Sequence, residues 1–248
     1  MINKSTESDY WKIRSEKYNN LKWVSDKSCM ENLIGCLDIK DDDTVLDVGT
    51  GTGIVASNIK NMVSSVFALD ISNDMLSKGK WQGVSIIEWD VRKPLFRNMI
   101  FDKVVARMVF HHILENIEEA FNNCYDCLKD NGKMIIAEAV PPSNSDLVVK
   151  WFTDMFSHKE DRITFVPGQL EKHMADVGFL NIESHFFSMT DFSINNWIES
   201  SGLPQDKIDL IIQMHLDAPQ EVKDAYNMKI DGSNVLIDSK YTIVVGEK

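Results

Sequence analysis

Apolar residues follow two rhythms along this chain, and the switches between them mark its elements. Residues 44–48, Thr-Val-Leu-Asp-Val, form a short β-branched run, the pattern of a strand buried on both faces. A glycine-rich turn follows, then helical spacing over 53–62. The alternation repeats with a strand over 65–70 and a helix opened by Ser72 as N-cap. Asp74 falls in that helix's first turn, and Met75 and Leu76 face inward. Strands are predicted over 84–89 and 102–107, then a long helix over 114–129. A break at Asn131-Gly132 leads to a strand over 133–139. Buried strands alternating with helices predict right-handed βαβ units and an α/β fold with a largely parallel sheet.

Past residue 139 the rhythm changes. Pro141-Pro142 ends the strand, and 146–156 has helical spacing through Val148, Val149, Trp151, Phe152 and Met155. A helix over 168–177 stops at Gly178, and a strand is predicted over 181–189. Two more helices begin near Pro204 and Pro219, Asp231-Gly232 is a hairpin signal, and 241–245 reads as a last strand. Residues 10–37 read as helical. With no repeat, low-complexity tract or linker, the 248 residues are expected to form one domain.

Composition narrows the partners. Hydrophobic residues make up 44% and charged residues 26%, ordinary for a globular chain. No apolar run matches a bilayer's thickness, and the polar, acid-containing residues 1–14 do not resemble a secretory signal. The expectation is a cytoplasmic protein with no membrane partner. The net charge of -12 repels polyanions, and no cationic cluster offsets it, so no nucleic-acid partner is expected. A small molecule is the expected partner; the oligomeric state is not readable. Cys124 and Cys127 share one face of a predicted helix, where thiols pack as small hydrophobes; with no further ligands at metal spacing, no metal is expected.

The segment richest in chemistry is Asp47-Val48-Gly49-Thr50-Gly51-Thr52-Gly53. A strand entering a glycine turn and a helix N-terminus brings backbone N–H groups close to a nucleotide. A dinucleotide-binding loop needs a third glycine for close helix–strand packing, and here that position is Ile54. Asp70 ends the second strand, where a carboxylate accepts hydrogen bonds from ribose hydroxyls. Asp90 ends the third. Next come Asp102-Lys103-Val104-Val105-Ala106-Arg107, a Met-Val-Phe-His-His sequence, and Leu128-Lys129-Asp130-Asn131-Gly132.

Taken together from about 43 to 139, these motifs resemble the class I S-adenosylmethionine-dependent methyltransferases. The closest branch is the ubiquinone- and menaquinone-biosynthesis-like small-molecule enzymes, sometimes called type 11. The resemblance implies a Rossmann-like, mostly parallel seven-stranded sheet with an antiparallel closing strand, and helical N- and C-terminal inserts as a cover. It divides a single methyltransferase domain, 1–248, into an N-terminal helical lid at 1–40, a cofactor-binding core at 41–140 and substrate-side inserts at 141–175 and 191–235. It implies S-adenosylmethionine held by Asp47, Gly49, Thr50, Gly51, Gly53, Asp70, Ile71, Met75, Asp90, Val91 and Arg107. The chain departs from the nucleic-acid and protein amino-methyltransferases, which carry an Asp/Asn-Pro-Pro-aromatic motif after strand four. Here that position reads Arg107-Met108-Val109-Phe110.

His111 and His112 follow the carboxyl end of strand four, where open α/β sheets bind ligands, and are candidate general bases. In the family the position of His112 is commonly histidine whatever the substrate, which fits a structural role. Tyr10, Trp11, Tyr18, Trp151 and Met155 are candidates for an aromatic acceptor pocket, with Trp23 and Phe156 beside them. His215 shares a helix face with Ile208 and Ile211 and is expected to be buried and hydrogen-bonded. The expected activity is methyl transfer to oxygen, nitrogen or carbon of a small acceptor. Alternatives are a non-catalytic S-adenosylmethionine-binding protein and a nicotinamide-dependent oxidoreductase, the latter disfavoured by Ile54 and Asp90.

Overall fold

The computed structural model describes Ser15, Leu21, Val24, residues 26–94 and residues 100–248. Five parallel strands form one half of the sheet: β1 (Thr44–Val48), β2 (Ser65–Asp70), β3 (Ser85–Glu88), β4 (Phe101–Arg107) and β5 (Leu128–Ala139). The order is β3-β2-β1-β4-β5-β8-β6, where β6 is Leu180–Ser193 and β8 is Asn234–Glu247. β8 lies antiparallel between β5 and β6, so the closing strand runs against its neighbours as expected. An eighth strand, β7 (Lys229–Asp231), pairs with the start of β8 across the Asp231-Gly232 turn.

Helices cover both faces. On one side lie α1 (Lys27–Leu37) and α2 (Ile54–Ile59), with α3 (Asn73–Leu76) between β2 and β3. On the other lie α4 (Ile117–Cys127) and α6 (Gln169–Val177). Alternate strand residues feed the two layers. Val45, Val105, Ile135 and Ile243 pack with α1 and α2, while Leu46, Val104, Met134 and Val244 pack with Phe121 and Met174. A strand buried on both sides has no polar face, which is why these runs are largely apolar. Cys124 and Cys127 are buried in the second layer as free thiols.

A third apolar cluster forms the cover. It joins α5 (Asp146–Ser157), α7 (Ile194–Glu199), α8 (Gln205–Leu216), α9 (Gln220–Ala225) and the start of β8. The prolines open helices as expected, Pro204 and Pro219 being the N-caps of α8 and α9.

The boundaries differ from expectation in ways with local causes. The helix predicted from 114 starts at Ile117, because a 3₁₀ turn (Phe110–His112) intervenes and Asn116 is left-handed at φ 58. It ends at Cys127, where Leu128 turns extended into β5. The strands predicted over 181–189 and 241–245 are 14 residues each, because they pair with one another along their length. Sequence periodicity missed α7, whose Ile194, Trp197 and Ile198 are buried and whose N-cap Ser193 accepts from Asn196 N–H. No helix among the described residues is long and apolar enough to cross a membrane.

Candidate functional site

The glycine turn leaves β1 with Gly49, Gly51 and Gly53 all at positive φ, a region glycine enters without steric cost. A Cβ on Gly49 would lie 2.4 Å from Val109 Cγ2, so the turn closes directly against the segment leaving β4. Gly53 is needed elsewhere: its Cβ would strike the Trp81 ring at 2.6 Å. Asp47 is buried behind the turn, accepting from the Thr50 hydroxyl at 2.6 Å and Ala56 N–H at 3.1 Å. Burial pushes its carboxyl up to about 7, and those hydrogen bonds pull the other way.

Asp70 ends β2 with its carboxylate between two backbone donors, Gly51 N–H and Ser72 N–H, each at 2.8 Å. Burial raises its pKa against those same bonds. Asp90, past β3, is gripped on both oxygens by the Arg92 guanidinium at 2.9 Å, with Arg92 N–H at 3.0 Å. Its pKa is lowered: partial burial pushes it up, and the Arg92 contacts outweigh that. Gly49, Gly51, Asp70, Ile71, Met75, Asp90 and Val91 line one cleft at the carboxyl ends of β1 to β3. Arg107, at the end of β4, lines it too and reaches the Val24 carbonyl at 3.4 Å.

The chain leaves β4 through Met108, left-handed at φ 57, and enters the 3₁₀ turn that carries both histidines. Glu138, buried on β5, organises this corner. Its Oε1 accepts from Val109 N–H at 3.0 Å and His111 N–H at 3.3 Å. Its Oε2 lies 2.6 Å from His111 Nδ1. With two backbone donors favouring the carboxylate, Nδ1 carries the proton and donates it, which turns Nε2 towards Glu160 Oε1, 3.9 Å away. Burial pushes the Glu138 carboxyl up to about 7, opposed by the Arg162 guanidinium and the backbone bonds.

Beyond the histidines the cleft opens into a chamber under the cover. Phe152, Met155 and Phe156 of α5, Phe192, Trp197 of α7, and Tyr226 line it. Lys159 and Arg162 are buried there, pairing with Glu160. The guanidinium carbon of Arg162 lies 4.2 Å from the Phe156 ring centre, and Lys159 Nζ 5.1 Å from that of Trp197. His111, His112 and Glu160 present ligand atoms within 4.8 Å of one another. Two cations already sit on that carboxylate, so the trio belongs to an ion-pair network, an unfavourable place for a divalent cation.

His215, on the last turn of α8, also lines the chamber. Its ring is fully buried, and Nδ1 donates to the Ile211 carbonyl at 2.7 Å. Trp151 meets it edge-on, ring centres 5.0 Å apart. Burial pushes its pKa down to about 4, so the ring is neutral and Nε2 keeps its lone pair. Nε2 has no hydrogen-bond partner among the described residues, an arrangement that costs about 1–3 kcal/mol.

The structure thus brings Gly49, Gly51, Asp70, Ile71, Met75, Asp90, Val91, Arg107, His111, His112 and Met155 around one continuous cavity. Asp47, Thr50 and Gly53 instead support the turn, and Trp151 packs behind the chamber wall against His215 and Tyr226. Tyr10, Trp11, Tyr18 and Trp23 lie outside the described residues. Sequence reasoning missed Glu138, although one carboxylate in an apolar strand was a usable signal. It also missed Lys159, Glu160 and Arg162, which look like an ordinary solvated loop.

A family model described as a methyltransferase domain matches residues 22–204. The chain is 26% identical over 144 residues to caffeic acid 3-O-methyltransferase 1 of Ocimum basilicum, covering 57% of this chain and 38% of that enzyme. The YcgJ protein of Bacillus subtilis has a similar structure, with TM-score 0.78 at 16% identity over 88% of this chain and 97% of that one. Phosphoethanolamine N-methyltransferase 2 of Haemonchus contortus was solved with phosphomonomethylethanolamine and S-adenosylhomocysteine. It matches with TM-score 0.65 at 19% identity, over 90% of this chain and 52% of that one. The chain therefore spans well under two thirds of the two relatives whose activities are named, and the structural likeness is one of fold.

Proposed function

The chain belongs to the methyltransferase-domain family, and from that membership we propose that it moves a methyl group from S-adenosylmethionine to oxygen or nitrogen of a small aromatic acceptor. The observation that carries this reading is the continuity of the cavity: the Asp70 cleft and the aromatic chamber meet at His111.

The residues present suit the cofactor. Gly49 and Gly51 let a ligand lie against bare backbone, and Asp70 has lone pairs left for ribose hydroxyls. Ile71, Met75 and Val91 offer apolar surface to a purine, and Arg107 at the end of β4 offers a positive charge for the carboxylate of an amino-acid tail. Bound there, S-adenosylmethionine supplies an electrophilic methyl on a sulfonium. His111 then accepts the proton that a hydroxyl or amine must lose, Glu138 fixes the imidazole and stabilises its charge, and the cover excludes water. In keeping with the chain's acidity we assign no nucleic-acid or membrane partner, and place the protein in the cytoplasm within the small-molecule branch.

Calorimetry with S-adenosylhomocysteine and NAD, followed by methyl transfer to a panel of phenols and amines, tests this. Heat with the first ligand alone and labelled product are expected; heat with NAD alone restores the oxidoreductase reading. Binding without transfer to any acceptor leaves the non-catalytic reading. His111→Ala should lower turnover by about 10²-fold or more with cofactor affinity kept; unchanged turnover removes His111 from the chemistry.

A further inference from the structure

Tyr226 follows the last turn of α9, and its backbone is pinned on both sides. Its N–H donates to the Val222 carbonyl at 3.1 Å, and its carbonyl accepts from Asp238 N–H on β8 at 2.7 Å. Its ring meets that of Trp151 edge-on, centres 5.8 Å apart, and the residue is only 3% exposed. The hydroxyl has no hydrogen-bond partner among the described residues. Unlike His215 Nε2, it is not among the side-chain atoms that lack both a partner and accessible surface. The oxygen therefore keeps a little surface, and the space that Tyr226 lines is the chamber. Burial raises the phenol's pKa, and the nearby Arg162 guanidinium opposes this only in part, so the hydroxyl keeps its proton. From this arrangement we infer that the Tyr226 hydroxyl donates a hydrogen bond to a carbonyl oxygen of the methyl acceptor, selecting aromatic molecules that carry a ketone, ester or carboxylate.

The inference rests on the chamber being the acceptor site. A ligand oxygen suits the place better than an N–H or O–H group, because the Arg162 cation disfavours the positive end of a second donor. Tyr226 then acts as a specificity-determining residue at the end of α9, separate from His111 at the strand-four corner. A donor waiting in an aromatic wall discriminates as apolar contacts cannot, since a ligand without the oxygen leaves it unpaired.

Phenols that differ only at the carbonyl test it: 3- and 4-hydroxyacetophenone against 3- and 4-ethylphenol. Binding is followed by ligand-observed NMR with and without S-adenosylhomocysteine. The 3- and 4-hydroxybenzoates run alongside, and tighter binding of ketone or benzoate tells a neutral carbonyl from a carboxylate. At one ring position or both, the wild-type protein should prefer the carbonyl probe about tenfold or more, and Tyr226→Phe should bring it level with the ethylphenol. No preference at either position, or the same preference in the variant, overturns the proposal. Tyr226→Phe removes an oxygen that holds nothing in the fold, so its melting temperature should match the wild-type protein. Should it fold poorly, the carbonyl stretch of wild-type-bound hydroxyacetophenone decides. A shift to lower wavenumber than in dry apolar solvent supports the hydrogen bond, and an unshifted stretch overturns it. Failure of S-adenosylhomocysteine to bind would remove the methyl-donor reading, while the probe comparison without cofactor still decides the role of Tyr226.

Discussion

At the scale of one residue, Gly49 carries two separate demands. Its φ of 62 requires a backbone that side-chain-bearing residues rarely adopt, and its missing Cβ makes room for Val109. Gly83 carries only the first, with φ 77 and nothing within 4 Å of an added Cβ. Gly83→Ala should therefore cost about 1 kcal/mol from the backbone alone. Gly49→Ala adds overpacking of roughly 1–3 kcal/mol and pushes the β4 exit away from the cleft. A thermal melt should show Gly49→Ala lower by several degrees, with weakened S-adenosylhomocysteine binding. Equal melting temperatures for the two variants would mean that the Val109 contact is slack.

At the scale of an element, the 3₁₀ turn (Phe110–His112) depends on a carboxylate from another strand. Glu138 both receives the turn's backbone N–H groups and holds His111. Glu138→Gln keeps an oxygen for the backbone and removes the charge. Without that charge the imidazolium loses its stabilisation, so the acid limb of the pH–rate profile should shift to lower pH, with turnover down about tenfold or more. Stability should respond differently. Glu138's pKa rises from 4.5 to about 7 on folding, so ionising it weakens the fold as pH climbs through that window. The Gln variant should therefore be no less stable than the wild-type protein at pH 8. An unmoved acid limb with a large loss of stability would make Glu138 purely a cap for the turn.

The same element marks the boundary of what the sequence made legible. The β1 and β2 strands and their glycine turn are local, written in β-branched runs and turn chemistry, and their expected bounds match. The cofactor half inherits that clarity, since Asp70 and Gly51 sit on consecutive elements. Glu138 and His111 are 27 residues apart, and only the pairing of β4 with β5 brings them together. Helix α7 was hidden by its length, six residues giving too few turns for periodicity to stand out. Lys159 and Arg162 resemble solvated charges because nothing in the local sequence announces the aromatic cover above them.

At the scale of the whole molecule, the net charge of -12 sets a field that ligands feel before any contact. S-adenosylmethionine carries one more positive charge than S-adenosylhomocysteine, the two being otherwise alike in shape. The acidic chain should therefore favour the methyl donor over its product through long-range attraction, with the buried Asp70 adding to it inside the cleft. Screening separates these contributions. The Debye length shrinks from roughly 30 Å at 0.01 M salt to about 10 Å at 0.1 M, which removes the distant surface charges and spares the buried ones. Titrations across that range should show affinity for S-adenosylmethionine falling severalfold while that for S-adenosylhomocysteine changes little. If both weaken together, the global field is irrelevant and discrimination lies wholly within the cleft. If neither changes, surface acidity plays no part in cofactor binding and serves to keep polyanions away.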